Sequence, residues 1–371
     1  MTNKVSVQLF FLVLTLSMIL GVGCKKKQND KIEDIEPTNT ITPSITATPT
    51  LTPTPTEVVE NHDGEVRSKL TGLWVPEELG NKRPYAIMLN NIKYASPQSG
   101  TEEAAVMYEA LVEGGITRLM GVYEELHEKR IGSIRSARHY FVSIADEYDA
   151  IYVHYGETTY ATKKIKALNI DNLSGLTGIG TTVYYRDKSI KEPHNAFASM
   201  SGILEGTKIK GYDTEYDKDY DSLFSFYEKD TDLASDVIAN KVSFEFSPYT
   251  KPYFTYNETD KLFYRYQFGS KHIDANSGKH LAFKNIIVQF VKEWDIDKND
   301  YQTMDIEDSS GTGYYITNGK KVNITWKNEK SKTMHYYDES GNVLSMNPGK
   351  TFIVIFPNDR VEDVQITDKL D

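Results

Sequence analysis

The chain has 371 residues, with 42 lysines and arginines against 53 acidic residues and a formal charge of −11. That balance excludes a general nucleic-acid binder with a basic face. A single cysteine, Cys24, excludes an intramolecular disulfide and any cysteine-based metal site.

Residues 1–23 read as a lipoprotein signal peptide. A short start carrying Lys4 leads into the apolar run QLFFLVLTLSMILGVG, which stops at Cys24. Gly21-Val22-Gly23-Cys24 fits a lipobox, with Gly21 in the slot usually held by leucine and Leu20 one place early. The apolar run is short for a membrane span, so Cys24 is expected to carry the lipid. Lys25-Lys26-Lys27 follows, placed to meet anionic headgroups. Residues 24–65 read as a disordered stalk, because PTNTITPSITATPTLTPTPT cannot bury enough surface to fold and favours extended conformations. Together these features place the protein on the outer face of the cytoplasmic membrane of a Gram-positive cell, with the membrane as partner through the N-terminal lipid.

Residues 66–206 are expected to form an α/β domain, a mixed sheet with packed helices. YAIMLN (85–90) reads as a buried strand. Residues 101–113 read as a helix N-capped by Thr101, with Ala104, Met107 and Leu111 on one face and Gly114-Gly115 at its end. TRLMGVYE (117–124) and RIGSIR (130–135) read as strands joined in a hairpin. Residues 137–148 read as a helix, 150–155 as a buried strand and 159–168 as a second helix. Residues 207–236 are acidic and Tyr/Asp-rich, which suggests a linker. Residues 237–371 read as a mainly antiparallel β domain, in which FTYNETDKLFYRYQFG and GTGYYITNGKKVNITW carry turn residues between strands. The 25 tyrosines against 15 phenylalanines fit such an exported β-rich body, where the ring packs and the hydroxyl stays wet.

The densest polar constellation lies between Glu113 and Arg138. Arg118 opens one expected strand, and Arg135, Ser136 and Arg138 lie where the next ends and a helix begins. Ligands bind at such strand ends, and a helix N-terminus with guanidinium forks suits phosphate or carboxylate. The alternative is that these arginines pair with local carboxylates such as Glu109, Glu113, Glu124 and Asp146. His154 and the pair His194-Asn195 lie nearby in the expected order. They are candidate ligand-binding residues, and Glu113, His154 and His194 are candidate acid/base groups. Each histidine can equally lock a loop through hydrogen bonds. No HExxH, GxSxG, Walker or dinucleotide-binding pattern is present, so no metal and no cofactor is expected.

Along RPYAIMLNN, VMYEALVEGGITRLMGVY, RIGSIRSARHYF, DAIYVHYGE, EPHNAF, GTGYYITNGKKVNITW, YYDESGNVL and NPGKTFIVI the chain resembles the YerB-like family of bacterial lipoproteins. The resemblance covers most of residues 72–360 and implies a two-domain body behind a lipobox, with no assigned reaction. A shorter likeness joins Thr117-Arg118-Leu119-Met120 and Ser133-Ile134-Arg135 to the LytR–CpsA–Psr envelope transferases, whose arginines grip a polyprenyl pyrophosphate. Those proteins have Asp after the second arginine, whereas Ser136 stands here, which puts metal-assisted transfer in doubt. Three readings follow. The first is a non-catalytic lipoprotein binding an anionic envelope ligand or an envelope protein through Arg118, Arg135 and Arg138. The second is an enzyme of envelope polymers using His154 or His194 for protons. The third is a scaffold docking a partner through its β-rich half.

Overall fold

In the computed structural model, residues 61–329 and 333–370 are described. The signal peptide, Cys24 and the stalk as far as residue 60 lie outside the described residues. The described residues form one compact unit.

Its centre is a ten-stranded mixed sheet. In chain order the strands are β1 (Tyr85–Asn91), β2 (Val106–Leu111), β3 (Thr117–Tyr123), β4 (Ile151–His154) and β5 (Asn172–Ser174), then β6 (Asn285–Val291), β7 (Ser309–Thr317), β8 (Lys320–Asn328), β9 (His335–Tyr337) and β10 (Thr351–Pro357). Their spatial order is β9-β8-β7-β6-β10-β2-β3-β1-β4-β5. The parallel pairs are β6 with β10, β10 with β2, β1 with β4 and β4 with β5; the others are antiparallel. Every residue of β1, β2, β6 and β10 is buried, as expected of central strands covered on both faces.

One face carries α1 (His139–Glu147) and α2 (Thr159–Leu168), which pack Tyr140, Phe141, Ile144 and Ala161 against Met88, Met120, Val122 and Tyr152. Thr158 caps α2, its side chain accepting from the Ala161 N–H, and Asn169 closes it in the left-handed conformation, the usual chemistry of helix ends. The other face carries a smaller antiparallel sheet, built mainly from Lys241–Phe244, Tyr253–Asn257, Leu262–Gln267 and Val364–Thr367. Its Phe244, Phe254 and Phe263 share a core with Phe352, Val354 and Phe356 of β10. The mixed sheet with packed helices and the antiparallel C-terminal sheet are thus both present, and strands of the two halves interleave in the central sheet.

Two elements differ from the sequence reading. Residues 106–111 form β2 and not a helix. Val106, Tyr108 and Ala110 face one core while Met107 and Leu111 face the other, the period-2 alternation of a strand. A strand buried on both faces is apolar at almost every position, so a helical subset of those positions is also apolar. Thr101 caps no helix; its N–H and hydroxyl both donate to Asp274 Oδ2, at 2.6 and 2.9 Å. The hairpin also lies elsewhere. β3 pairs with β2 across Gly114 (φ +72°) and Gly115 (φ +67°), a turn open to glycine. Of residues 130–135 only Ile131–Gly132 is a strand, paired with Phe197 and Ala198.

The segment read as an acidic linker starts inside α3 (Met200–Lys210). Farther along, it packs Leu223, Phe224 and Leu233 into the core.

The Asn318-Gly319 turn joins β7 to β8 with Thr317 opposite Lys320 and both turn residues at positive φ, the two-residue hairpin geometry. A Cβ at Gly319 would lie 2.7 Å from the Tyr256 ring. Gly319→Ala is therefore expected to lower stability by about 1–2 kcal/mol or more in urea unfolding, since the left-handed penalty alone is of that size.

Candidate functional site

The arginine cluster forms where β1 ends and β3 begins. Asn90 and Arg118 are register partners. Residues 133–135 run alongside, with the Asn90 N–H donating to Ser133 O and the Arg135 N–H to Met88 O. The chain then enters α1, whose N-cap residue Arg138 is extended and makes no side-chain cap bond, leaving the first-turn N–H groups uncapped. The end of β1, the start of its antiparallel partner β3 and a helix start thus meet at one place, as the sequence order of Arg118, Arg135 and Arg138 suggests.

Arg118 is 4% exposed, and its Nη1 donates to Ser136 O at 2.5 Å. Among the described residues it meets no carboxylate directly. Burial, then the neighbouring charges of Arg138 and Arg135, push its pKa down to about 9. Arg138 makes the paired contact with Glu113, Nε to Oε1 at 2.6 Å and Nη2 to Oε2. Burial raises the Glu113 pKa, but the bond and charge of Arg138 outweigh it and leave the carboxyl lowered. Arg135 donates from Nη1 to Pro193 O at 2.9 Å, while its buried Nε has no hydrogen-bond partner among the described residues. Burial and Arg138 lower its pKa as well. The fully buried Tyr152 hydroxyl is likewise without a partner. Burial raises its pKa, and the charges of Arg118 and Arg138 oppose that rise. Among the described residues Glu113 therefore bonds Arg138 and acts on Arg118 through its charge, and Arg135 has no carboxylate within ion-pair distance.

His194 belongs to this cluster. Its Nδ1 lies 3.1 Å from Asn90 Nδ2, which also donates to Ser133 Oγ at 3.2 Å. An amide donor on Nδ1 leaves the proton of the neutral ring on Nε2. Burial, Arg135 and Lys191 lower the His194 pKa, which favours the neutral form of the ring. The exposed Tyr94 ring stands edge-on to it at 5.5 Å. Asn195 is buried and serves Arg186, accepting from its Nη1 at 2.7 Å. The Ser136 hydroxyl donates to Tyr155 O at 3.3 Å, and its carbonyl serves Arg118.

His154 is placed differently. It is fully buried, with Nδ1 2.9 Å from Gly156 O and 3.4 Å from Glu157 Oε2, and Nε2 3.4 Å from Asn172 Oδ1. Both ring nitrogens are engaged in locking the strand end, which leaves none for a ligand. Of the carboxylates weighed as arginine partners, Glu113 pairs with Arg138. Glu109 is taken by the buried Arg265 instead, at 2.7 Å.

Sequence reasoning missed Asn90, Ser133 and Tyr152. Two consecutive polar residues, Asn90-Asn91, at the end of an apolar strand are the signal that could have found the first. Among the described residues no group of three His, Cys, Asp or Glu could hold a metal ion, and no helix is long and apolar enough to cross a membrane.

Two family descriptions match the chain: "Protein of unknown function (DUF3048) N-terminal domain" over residues 70–262 and "Protein of unknown function (DUF3048) C-terminal domain" over 242–353. A Bacillus subtilis relative named "Putative lipoprotein YerB" is 30% identical over 295 residues, covering 79% of this chain and 87% of the relative. The crystal structure of YerB from Bacillus subtilis superposes with a TM-score of 0.73 at 27% identity, covering 82% of this chain and 100% of that one. The chain belongs to the YerB-like family, a two-domain family of unknown function.

Proposed function

We propose that the protein is a lipoprotein held through Cys24 on the outer face of a Gram-positive cytoplasmic membrane, and that its arginine cluster binds an anionic group of an envelope ligand. The signal sequence, the sole cysteine and the lipoprotein name of the relative support the anchor. Replacing Cys24 by Ser is expected to abolish incorporation of radiolabelled fatty acid; undiminished labelling would refute the anchor.

The observation that carries the binding role is the excess of buried positive charge. Among the described residues Glu113 is the one carboxylate that bonds an arginine of the trio Arg118, Arg135 and Arg138, and Arg135 Nε and the Tyr152 hydroxyl lack partners. A phosphate or carboxylate supplies the missing charge and the missing acceptors at once, and guanidinium forks and uncapped helix N–H groups suit such groups. Neutral His194 would add a donor from Nε2.

Calorimetric titration with inorganic pyrophosphate and with a short-chain polyprenyl phosphate tests this. Arg135 is partly exposed, so its replacement spares the core. Arg135→Ala is expected to weaken binding about 10- to 100-fold, the worth of one or two charge-assisted bonds. Arg135→Lys should recover part of the loss. Equal affinities for wild type and Arg135→Ala would end this reading.

A further inference from the structure

A second site lies at the loop that carries Tyr94, lined by none of the arginine-cluster residues. A cavity of about 300 Å³ opens between Lys93, Ser96 and Pro97 of that loop and the hairpin tip around Phe268. Pro97, Phe268 and Ile273 make its lining mainly apolar. Lys93 and Lys271, both exposed, stand at it, and neither forms an ion pair among the described residues. The volume is at the lower end of small-molecule pockets, which combine apolar walls with a few placed polar groups.

The pocket is rigidly backed. Buried His272 and Gln267 form part of its wall. His272 Nε2 bonds Gln98 Oε1 at 2.8 Å, and Gln267 Nε2 donates to Asn91 Oδ1 at 2.7 Å. Residues of both halves of the chain are thereby held in register around the cavity. The hairpin tip adds an independent feature. Phe268 has φ +52° in the two-residue turn between Gln267 and Ser270, a conformation that suits Asn or Gly and disfavours a bulky ring. A costly residue at a turn, lining a cavity, points to a role beyond folding.

We propose that this cavity binds a small organic anion with an apolar body, of the class of a medium-chain carboxylate. Phe268, Pro97 and Ile273 cover the chain while Lys93 and Lys271 meet the carboxylate. In a protein of charge −11, two lysines without ion pairs among the described residues, beside an apolar cavity, select an amphiphilic anion over a neutral apolar molecule. The site is separate from the arginine cluster.

Calorimetric titration with octanoate below its micelle concentration, octanol and acetate tests the proposal. Octanoate is expected to bind, with octanol and acetate each at least about tenfold weaker, because one lacks the charge and the other the chain. Phe268→Asn relieves the turn, so it should hold or raise the melting temperature while weakening octanoate at least about tenfold. The double change Lys93→Gln with Lys271→Gln should erase the preference for octanoate over octanol, and Arg135→Ala should leave octanoate affinity unchanged. The proposal is overturned if octanoate does not bind, if octanol matches it, or if Phe268→Asn binds normally. Loss of octanoate binding in Arg135→Ala would place it in the arginine cluster and overturn the second site. So would binding to phosphatidylglycerol vesicles without binding of octanoate.

Discussion

Arg265→Met is expected to cost about 3–5 kcal/mol of unfolding free energy, the usual result of removing one partner from a buried ion pair. Arg265 is fully buried, and its Nη2 donates to Glu109 Oε2 at 2.7 Å across 156 residues of chain. Asn91 Nδ2 and Thr117 Oγ1 donate to the other carboxylate oxygen at 2.9 and 2.7 Å. The guanidinium also bonds Gln267 and His272 and lies 5.2 Å from the Phe352 ring. Methionine keeps the packing volume but leaves Glu109 charged in the core. Adding Glu109→Leu should return much of the loss, because it removes the stranded charge. Urea unfolding of both variants checks this, and a loss below about 1 kcal/mol in Arg265→Met would show that the pair contributes little.

The second large effect is on pH dependence. The Glu147 carboxyl accepts from Asn328 Nδ2 at 2.7 Å and from the Met334 N–H at 3.3 Å. Burial nevertheless pushes its pKa from 4.5 to about 8. Burial likewise pushes Glu293 to about 8, and one of its carboxylate oxygens is buried without a partner. A carboxyl whose folded pKa lies above its unfolded value holds its proton more tightly when folded. Its stabilisation is fully present below about pH 4.5 and is lost as pH rises through about 8. Each such group can contribute a slope of up to about 1.4 kcal/mol per pH unit within that window. The stability curve should therefore fall between pH 5 and 8, and Glu147→Gln should flatten it and be the more stable protein at pH 8. Thermal unfolding across this range decides it; parallel curves for wild type and variant would remove Glu147 as a cause. Asp187 and Asp230, whose pKa values lie lowered to about 2, act with the opposite sign and matter only in strong acid.

How far the fold was legible depended on whether the governing interaction was local. The helix over 159–168 was read with its observed bounds because its Lys-rich face is encoded within the segment. The Asn-Gly hairpin of β7 and β8 was legible for the same reason. Strand β2 was not: at a position covered on both faces, apolar character carries no period, and the fit of Ala104, Met107 and Leu111 to a helix followed from that. The cluster was partly legible. Arg118, Arg135 and Arg138 were brought near one another by strand order, whereas the bond from Asn90 to His194 spans 104 residues and has no local signature. His154 and His194 looked alike in sequence, each beside a strand or loop end. Burial separated them, enclosing one among Gly156, Glu157 and Asn172 and leaving the other beside Arg135.

By itself the sequence determined the family, the expected placement of the lipid at Cys24, the α/β character of the first half and the antiparallel hairpins of the second. Each of these resides in contiguous residues: an apolar run ending at a cysteine, turn dipeptides, and spacings of two or three to four. Only the tertiary structure decided that strands of both halves build one sheet, that Glu109 belongs to Arg265, and that Glu113 belongs to Arg138. Those outcomes depend on which buried groups meet after the chain closes. The cost of leaving a buried charge or donor unpaired selects the partner wherever it lies in the chain.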